Sequence, residues 1–432
     1  MEINAPYEIN KKGHLVFDGC DVVGLANEYG TPLYVVSESE IRKRCKRIKE
    51  CFMHKYTDTQ ALYASKAMSN VAIYRIISDE GLGIDVVSGG ELYTAIKAGF
   101  PAEKIYFHGN NKTQDEIKLG LDNNIGCFVI DNDYEIDLIQ KTAFESGKKV
   151  KALLRIAPGV SVNTHEYVCT GQIDSKFGFS IKDNTALIAV KKVLESHNIN
   201  FAGIHCHLGS QIYSREAYYE AVMIMISLLG QIKQEYGIEA EELNVGGGFA
   251  VFDYERDKYV DIADFIETIM DTVEEQCSIR KIKRPRVLIE PGRWIVGESG
   301  ITIYTVGAVK EIKGIRKYVS IDGGMTDNPR YALYNALYKG IAANKAAEKC
   351  TEVVTIAGKC CESGDILIKD LNAPALEPGD ILAVLGTGAY NYSMSSNYNR
   401  LTKPAMLMTN KGEVRVIMRR EDYEDLLRYE QI

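Results

Sequence analysis

Lys66 stands in ALYASKAM, a run otherwise made of apolar or small residues. Most lysines are solvated. At the C-terminal end of a strand-like run, and by alternation on the same face as Leu62 and Ala64, this one can point into a cavity. Desolvation lowers an ammonium's pKa and favours the free amine as a nucleophile. The chemistry of such an amine is Schiff-base formation, with a substrate carbonyl or with pyridoxal phosphate (PLP). Gly246-Gly247-Gly248 and the turn Pro291-Gly292-Arg293 follow two later strand-like runs. Glycine lets backbone N–H groups close on a phosphate, although a lone GGG is often only a tight turn. Glu290 ends the last of these runs. Beside a pyridine nitrogen its carboxylate would keep the ring protonated, and a pyridinium is an electron sink for a carbanion. An arginine there would damp the sink and suit a racemase; the bland alternative is a salt bridge on a rim.

Three further groups carry chemistry. His205 and His207 lie two apart in FAGIHCH, a spacing that suits a metal or a histidine packed flat on a cofactor ring. No further set of ligands is evident at other strand ends, so no metal is expected. AGKCCESGD places Cys361 beside Glu362. Neighbouring cysteines are usually packing, but a thiol can protonate a carbanion without carrying a permanent charge. GMTDNPRYALY supplies Arg330 and Tyr334, and GTGAYNY supplies Tyr390. Arginine clamps a carboxylate bidentately.

The elements that must position these residues form a pattern. Eight short β-rich runs begin at Ala61, Gly83, Ile105, Cys127, Lys151, Phe201, Glu242 and Val287, with segments of helical periodicity between them. They finish in Lys66, Ser88, Asn110, Asp131, Arg155, His207, Gly246 to Gly248 and Glu290. Polar or glycine residues at almost every strand end suit the C-terminal rim of a barrel, whereas an open sheet would gather them at one switch point. The expectation is an α/β chain: a (β/α)8 TIM barrel over residues 36–292, then an all-β domain over 293–432. Residues 1–35 hold short strand-like pieces and are candidates to pack with that C-terminal sheet.

Bulk properties narrow the classes. The 432 residues are 46% hydrophobic and 25% charged, with a net charge of -8, which argues against a nucleic-acid surface. No apolar run has the length of a membrane helix and no secretory leader is evident, so the expectation is a cytoplasmic enzyme. The ten cysteines are scattered without a C-x-x-C pair and read as buried thiols.

Taken in order from YASKA to GAYNY, the motifs GIDVVSGGEL, HGNNK, DSKFGF, HCHLGSQI, NVGGGF, EPGR, DGGMTDNPRYALY and CESGD resemble the diaminopimelate decarboxylases, PLP enzymes on an alanine racemase-like barrel. The resemblance implies decarboxylation of meso-diaminopimelate to lysine. It implies that Lys66 carries PLP, that His207 stacks on its ring and that Glu290 pairs with the pyridine nitrogen. Asp85 is implied as a further cofactor contact. Ser210, Gly246, Gly247, Gly248, Gly292 and Arg293 would surround the phosphate, with Tyr390 near cofactor and substrate. Arg293, Arg330 and Tyr334 would read the substrate's distal carboxylate and Glu362 its ammonium. Cys361 would protonate the α-carbon, reaching in from the partner of a homodimer. An ornithine, arginine or lysine decarboxylase on the same scaffold is the nearest alternative, but those substrates have no need of Arg330. A catalytically silent binding relative is the other, although Lys66 and Cys361 are both present. The chain departs from the family pattern at Tyr331, where proline is expected; the change alters the stiffness of the Arg330 loop.

Overall fold

The structure is a computed structural model that describes residues 6–160, 175–253 and 258–431. The chain divides into two compact units, Arg44–Trp294 and Met1–Lys43 with Ile295–Ile432.

Among the described residues of the first unit, eight strands form a closed barrel: β1 (Thr59–Ala64), β2 (Gly83–Val86), β3 (Ile105–Phe107), β4 (Cys127–Ile130), β5 (Val150–Ala157), β6 (Ile199–His205), β7 (Glu242–Asn244) and β8 (Arg286–Ile289). Each pairs in parallel with the next, and β8 pairs in parallel with β1. Leu62, Tyr106, Cys127, Val129, Leu153, Ala202 and Leu288, one or two from most strands, form one buried cluster. Lower in the same strands, Glu242 is buried but not alone: Tyr106 Oη lies 3.0 Å from each of its oxygens and Lys151 Nζ 2.8 Å from Oε1. Helices follow the strands because the connecting residues punctuate them. Asn70, Ser88, Thr113, Asn132, Ser214 and Asp261 each accept a backbone N–H at a helix start, satisfying donors that the first turn leaves free. No described helix is long and apolar enough to cross a membrane.

Two turns of the barrel are strapped by a buried ion pair. Lys112 Nζ donates to Val129 O (2.7 Å), to Gly109 O (3.0 Å) and to Glu135. Glu135 Oε2 also accepts from Asp131 N at 2.8 Å. Lys112→Met removes the cation and leaves a buried carboxylate, which is expected to destabilise the protein by about 3–5 kcal/mol. Urea unfolding measures this; a loss below about 1 kcal/mol would mean that Glu135 is relieved by protonation or water.

The second unit holds a mixed sheet in the order Ile366–Ala373, Glu352–Ala357, Arg316–Ile321, Gly300–Ile312, Leu33–Ser37, Ala405–Asn410, Glu413–Met418. Leu33–Ser37, from the segment that precedes the barrel, is therefore an inner strand. Every residue of Leu33–Ser37 is buried, antiparallel to Gly300–Ile303 and parallel to Ala405–Thr409. The unit is not purely β: helices Val22–Tyr29, Arg330–Tyr334 and Tyr423–Leu427 interrupt it. The loop before Arg330 is pinned by Asp327, whose carboxylate accepts from Tyr304 Oη (2.5 Å) and Gly324 N (2.9 Å). Asp365 accepts from Met325 N (2.7 Å) and Cys360 N (2.8 Å), tying that loop to the one that carries Cys361.

Candidate active site

The polar residues at the C-terminal ends of the barrel strands converge on Glu290, which is buried. Asn244 Nδ2 donates to its Oε1 at 2.7 Å, and His205 Nε2 lies 3.3 Å from its Oε2. His108 Nε2 sits 3.0 Å from Oε1, outside hydrogen-bond geometry. Burial opposes the charge on Glu290, but the two imidazoles beside it hold the carboxyl well below the ordinary carboxylate range. Burial also pushes His205 down to about 4 against the attraction of Glu290, and it lowers His108. Burial thus disfavours the charged form of both imidazoles, while the attraction of Glu290 opposes that shift. Two histidines and a carboxylate also have the composition of a metal site, with ligand atoms within 4.8 Å of one another. Of the H-x-H pair only His205 belongs to this group; His108 and Glu290 come from other strand ends, and His207 lies outside it.

Around Glu290 lie the other groups. Lys66 is not on a strand. β1 stops at Ala64, and Ser65–Ala67 form a 3-10 turn, so alternation with Leu62 and Ala64 does not extend to it. The turn is held by Ser65 Oγ donating to Glu91 and Tyr63 Oη donating to Met68 O at 3.1 Å. Asp85 in β2 is buried, and its Oδ1 has no hydrogen-bond partner among the described residues. Burial and the charge of Glu290 push it well above the ordinary range, against the pull of Lys66. His207 also lies beyond its strand. Its Nδ1 accepts from Gly247 N at 3.1 Å, which leaves Nε2 as the protonated nitrogen of the neutral ring. Burial, then the nearby charge of Lys66, lowers its pKa. Arg155 sits within β5, 3.7 Å from Asp131 and over the ring of Phe177 at 4.2 Å. Asp174, which opens the DSKFGF motif, lies outside the described residues.

The glycine cradle is built for close approach. Gly246 has φ +71°, and a Cβ there would stand 2.4 Å from Cys206 O; one on Gly247 would stand 2.1 Å from Glu290 O. The two rim loops after β6 and β7 pair, with Ile212 N donating to Gly248 O at 2.9 Å. Arg293 Nη2 donates to Ser210 Oγ at 3.3 Å, and Gly292 packs on Ala64.

In the second unit, Arg330 is buried with its guanidinium 5.0 Å from the Tyr334 ring and 5.2 Å from the Tyr390 ring. Tyr390 holds φ +66°, a conformation that costs a bulky residue energy and marks a site under constraint. Cys361 and Glu362 are exposed, and Cys361 N donates to Asn399 Oδ1 at 2.7 Å. Cys361 and Cys350 depart from the expectation of buried thiols, since neither contributes to a core.

Comparison with known proteins gives these clusters a family. Residues 38–297 match the pyridoxal binding domain of pyridoxal-dependent decarboxylases. Diaminopimelate decarboxylase of Bacillus subtilis (strain 168) is 46% identical over 97% of this chain and 95% of its own. The chain belongs to the diaminopimelate decarboxylase family. The crystal structure of the diaminopimelate decarboxylase from M. jannaschii superposes with a TM-score of 0.92 at 37% identity, covering 99% of this chain and 98% of that one, and the same enzyme has a structure in complex with L-lysine.

The barrel brings Lys66, Asp85, His207, Ser210, Gly246 to Gly248, Glu290, Gly292 and Arg293 to one rim. The second unit brings Arg330, Tyr334 and Tyr390 together and leaves Cys361 and Glu362 on an exposed loop. His108 and Asn244 touch Glu290 without having been singled out by sequence. Each is one polar residue at or just past the end of a short β-run, and that position was the available signal.

Proposed function

We propose that this decarboxylase converts meso-2,6-diaminopimelate to L-lysine and CO2, the last step of lysine biosynthesis, in the cytoplasm and as a homodimer with a shared active site. The observation that carries the reading is Glu290: a buried carboxyl held well below the ordinary carboxylate range, with Asn244 and His205 on its two oxygens, on the same rim as a lysine and a glycine cradle. The residues present fit PLP. The cradle has no room for a Cβ, Arg293 and Ser210 offer donors to an anion, and the buried Asp85 Oδ1 lacks a hydrogen-bond partner among the described residues. When bound, that group supplies an electron sink for the pair left behind by CO2.

The chain's own residues do the rest. Lys66 Nζ would hold the cofactor covalently. Gly246, Gly247, Gly248, Ser210, Gly292 and Arg293 would hold its phosphate, with His207 against its ring, Asp85 as a further contact, and Glu290 beside the pyridine nitrogen to favour its protonated form. Arg293, Arg330 and Tyr334 orient the substrate's distal carboxylate, and Glu362 its ammonium, with Tyr390 beside both ligands. Cys361 Sγ delivers the proton to the α-carbon from the partner subunit. The test is CO2 release by the protein with PLP on meso-diaminopimelate, L-ornithine, L-arginine and L-lysine. Lysine formed from diaminopimelate alone is expected. Turnover of ornithine or arginine instead would keep the chemistry and overturn the substrate.

A further inference from the structure

Asn244 closes β7 and is fully buried, and its amide spans two parts of the rim that lie on different strands. Its Oδ1 accepts from Gly246 N at 2.9 Å. Its Nδ2 donates to Glu290 Oε1 at 2.7 Å. The amide has one orientation that satisfies both contacts, because the flipped group would set its oxygen against the carboxylate. The backbone repeats the link: Glu290 N donates to Gly246 O at 2.8 Å. Gly247 packs so closely on Glu290 O that a Cβ would stand 2.1 Å away. Gly246, turned to positive φ, is thus held at its N–H by the Asn244 side chain and at its carbonyl by the Glu290 backbone.

We propose that Asn244 is a positioning residue that couples the glycine cradle to the Glu290 carboxylate, so that one rigid unit sets both the grip on the cofactor's phosphate and the charge beside its pyridine nitrogen. The proposal rests on the cofactor reading above. Asparagine suits the task because its donor favours ionised Glu290 yet does not titrate. His205 Nε2 lies on the other carboxylate oxygen at 3.3 Å, so Asn244 and His205 take one oxygen each. An aspartate of the same shape keeps the acceptor for Gly246 N but replaces the donor with a second negative charge, so a proton becomes shared between two carboxylates. A leucine of similar size forfeits both hydrogen bonds and leaves Gly246 N and Glu290 Oε1 each short of a partner.

The two variants separate coupling from packing. Asn244→Asp and Asn244→Leu are prepared beside the parent protein, and four quantities are read: the PLP dissociation constant by equilibrium dialysis, the pH dependence of the visible absorbance, kcat with KM, and amide exchange at Gly246 in the cofactor-free protein. Asn244→Asp is expected to bind PLP within about threefold of the parent, to hold KM within about threefold, to lose about tenfold or more in kcat, and to shift the absorbance transition by about one pH unit. Asn244→Leu is expected to raise the PLP dissociation constant about tenfold and to speed exchange at Gly246. An Asn244→Asp protein that titrates and turns over like the parent overturns the coupling, as does an Asn244→Leu protein that binds PLP like the parent. A parent protein that gains no visible band with PLP overturns the cofactor reading itself, and this inference falls with it.

Discussion

Lys66→Ala is expected to abolish the visible absorbance that the protein gains with PLP and to lower kcat by at least about 10²-fold, since the covalent attachment is lost. Ser65 is tied to Glu91, which also accepts from Val87 N at 2.8 Å, and Tyr63 Oη closes the other side on Met68 O. Lys66 is thus presented from a fixed 3-10 turn at the mouth of β1. Its charge acts on Asp85 and on His207. Lys66→Arg retains a cation but is expected to be as inactive as the alanine variant, because a guanidinium does not give up its proton near neutral pH. The measurements are absorbance spectra with added PLP and lysine formation from diaminopimelate. A Lys66→Ala protein that keeps the parent's band would sink the assignment of Lys66 as the attachment point.

The fold was legible because parallel barrel strands are buried on both faces and read as short apolar β-rich runs, each bounded by a helix cap. The runs found in the sequence begin within two residues of β1 to β8. The strand Ala405–Asn410 was not legible: AMLMTN has two methionines and no β-branched residue until Thr409, yet it is buried beside Leu33–Ser37 because the sheet recruits it. Strand ends were the other weak point. Alternation was extended through Lys66 and His207, but β1 and β6 stop at Ala64 and His205, and the chemistry-bearing side chains issue from turns. Tertiary partners explain the rest. His108 and Asn244 acquire a role only through Glu290, and Asn244 is 46 residues away from it along the chain. No local pattern encodes a contact of that span. The same holds for Asp365, which bridges the Met325 and Cys360 loops and reads in sequence as an ordinary acidic residue of CESGD.

Glu290→Gln is expected to lower kcat by about 10²–10³-fold while PLP remains bound, the scale seen when one preorganised electrostatic group is removed from a reacting centre. Glutamine preserves the shape, and its amide can still meet Asn244 and His205, so the cradle stays in place. What it lacks is the negative charge that keeps a proton on a pyridine nitrogen. His205 does not take over. It is already held down to about 4 by burial, and removing the carboxylate removes the attraction that had been raising its pKa, so it stays neutral. The pH dependence follows from the direction of the Glu290 shift. With its folded value well below the ordinary one, the stability it contributes is complete above the unfolded carboxyl value of about 4.3 and is lost as pH falls through the folded value. Glu290 therefore stays ionised throughout the neutral range, and an acid limb in the parent's activity near pH 6 must arise from another group. Unfolding followed from pH 7 to pH 2 should show the parent losing stability more steeply below pH 4 than Glu290→Gln. Equal slopes, or a Glu290→Gln enzyme with the parent's kcat, would remove Glu290 from the role proposed for it.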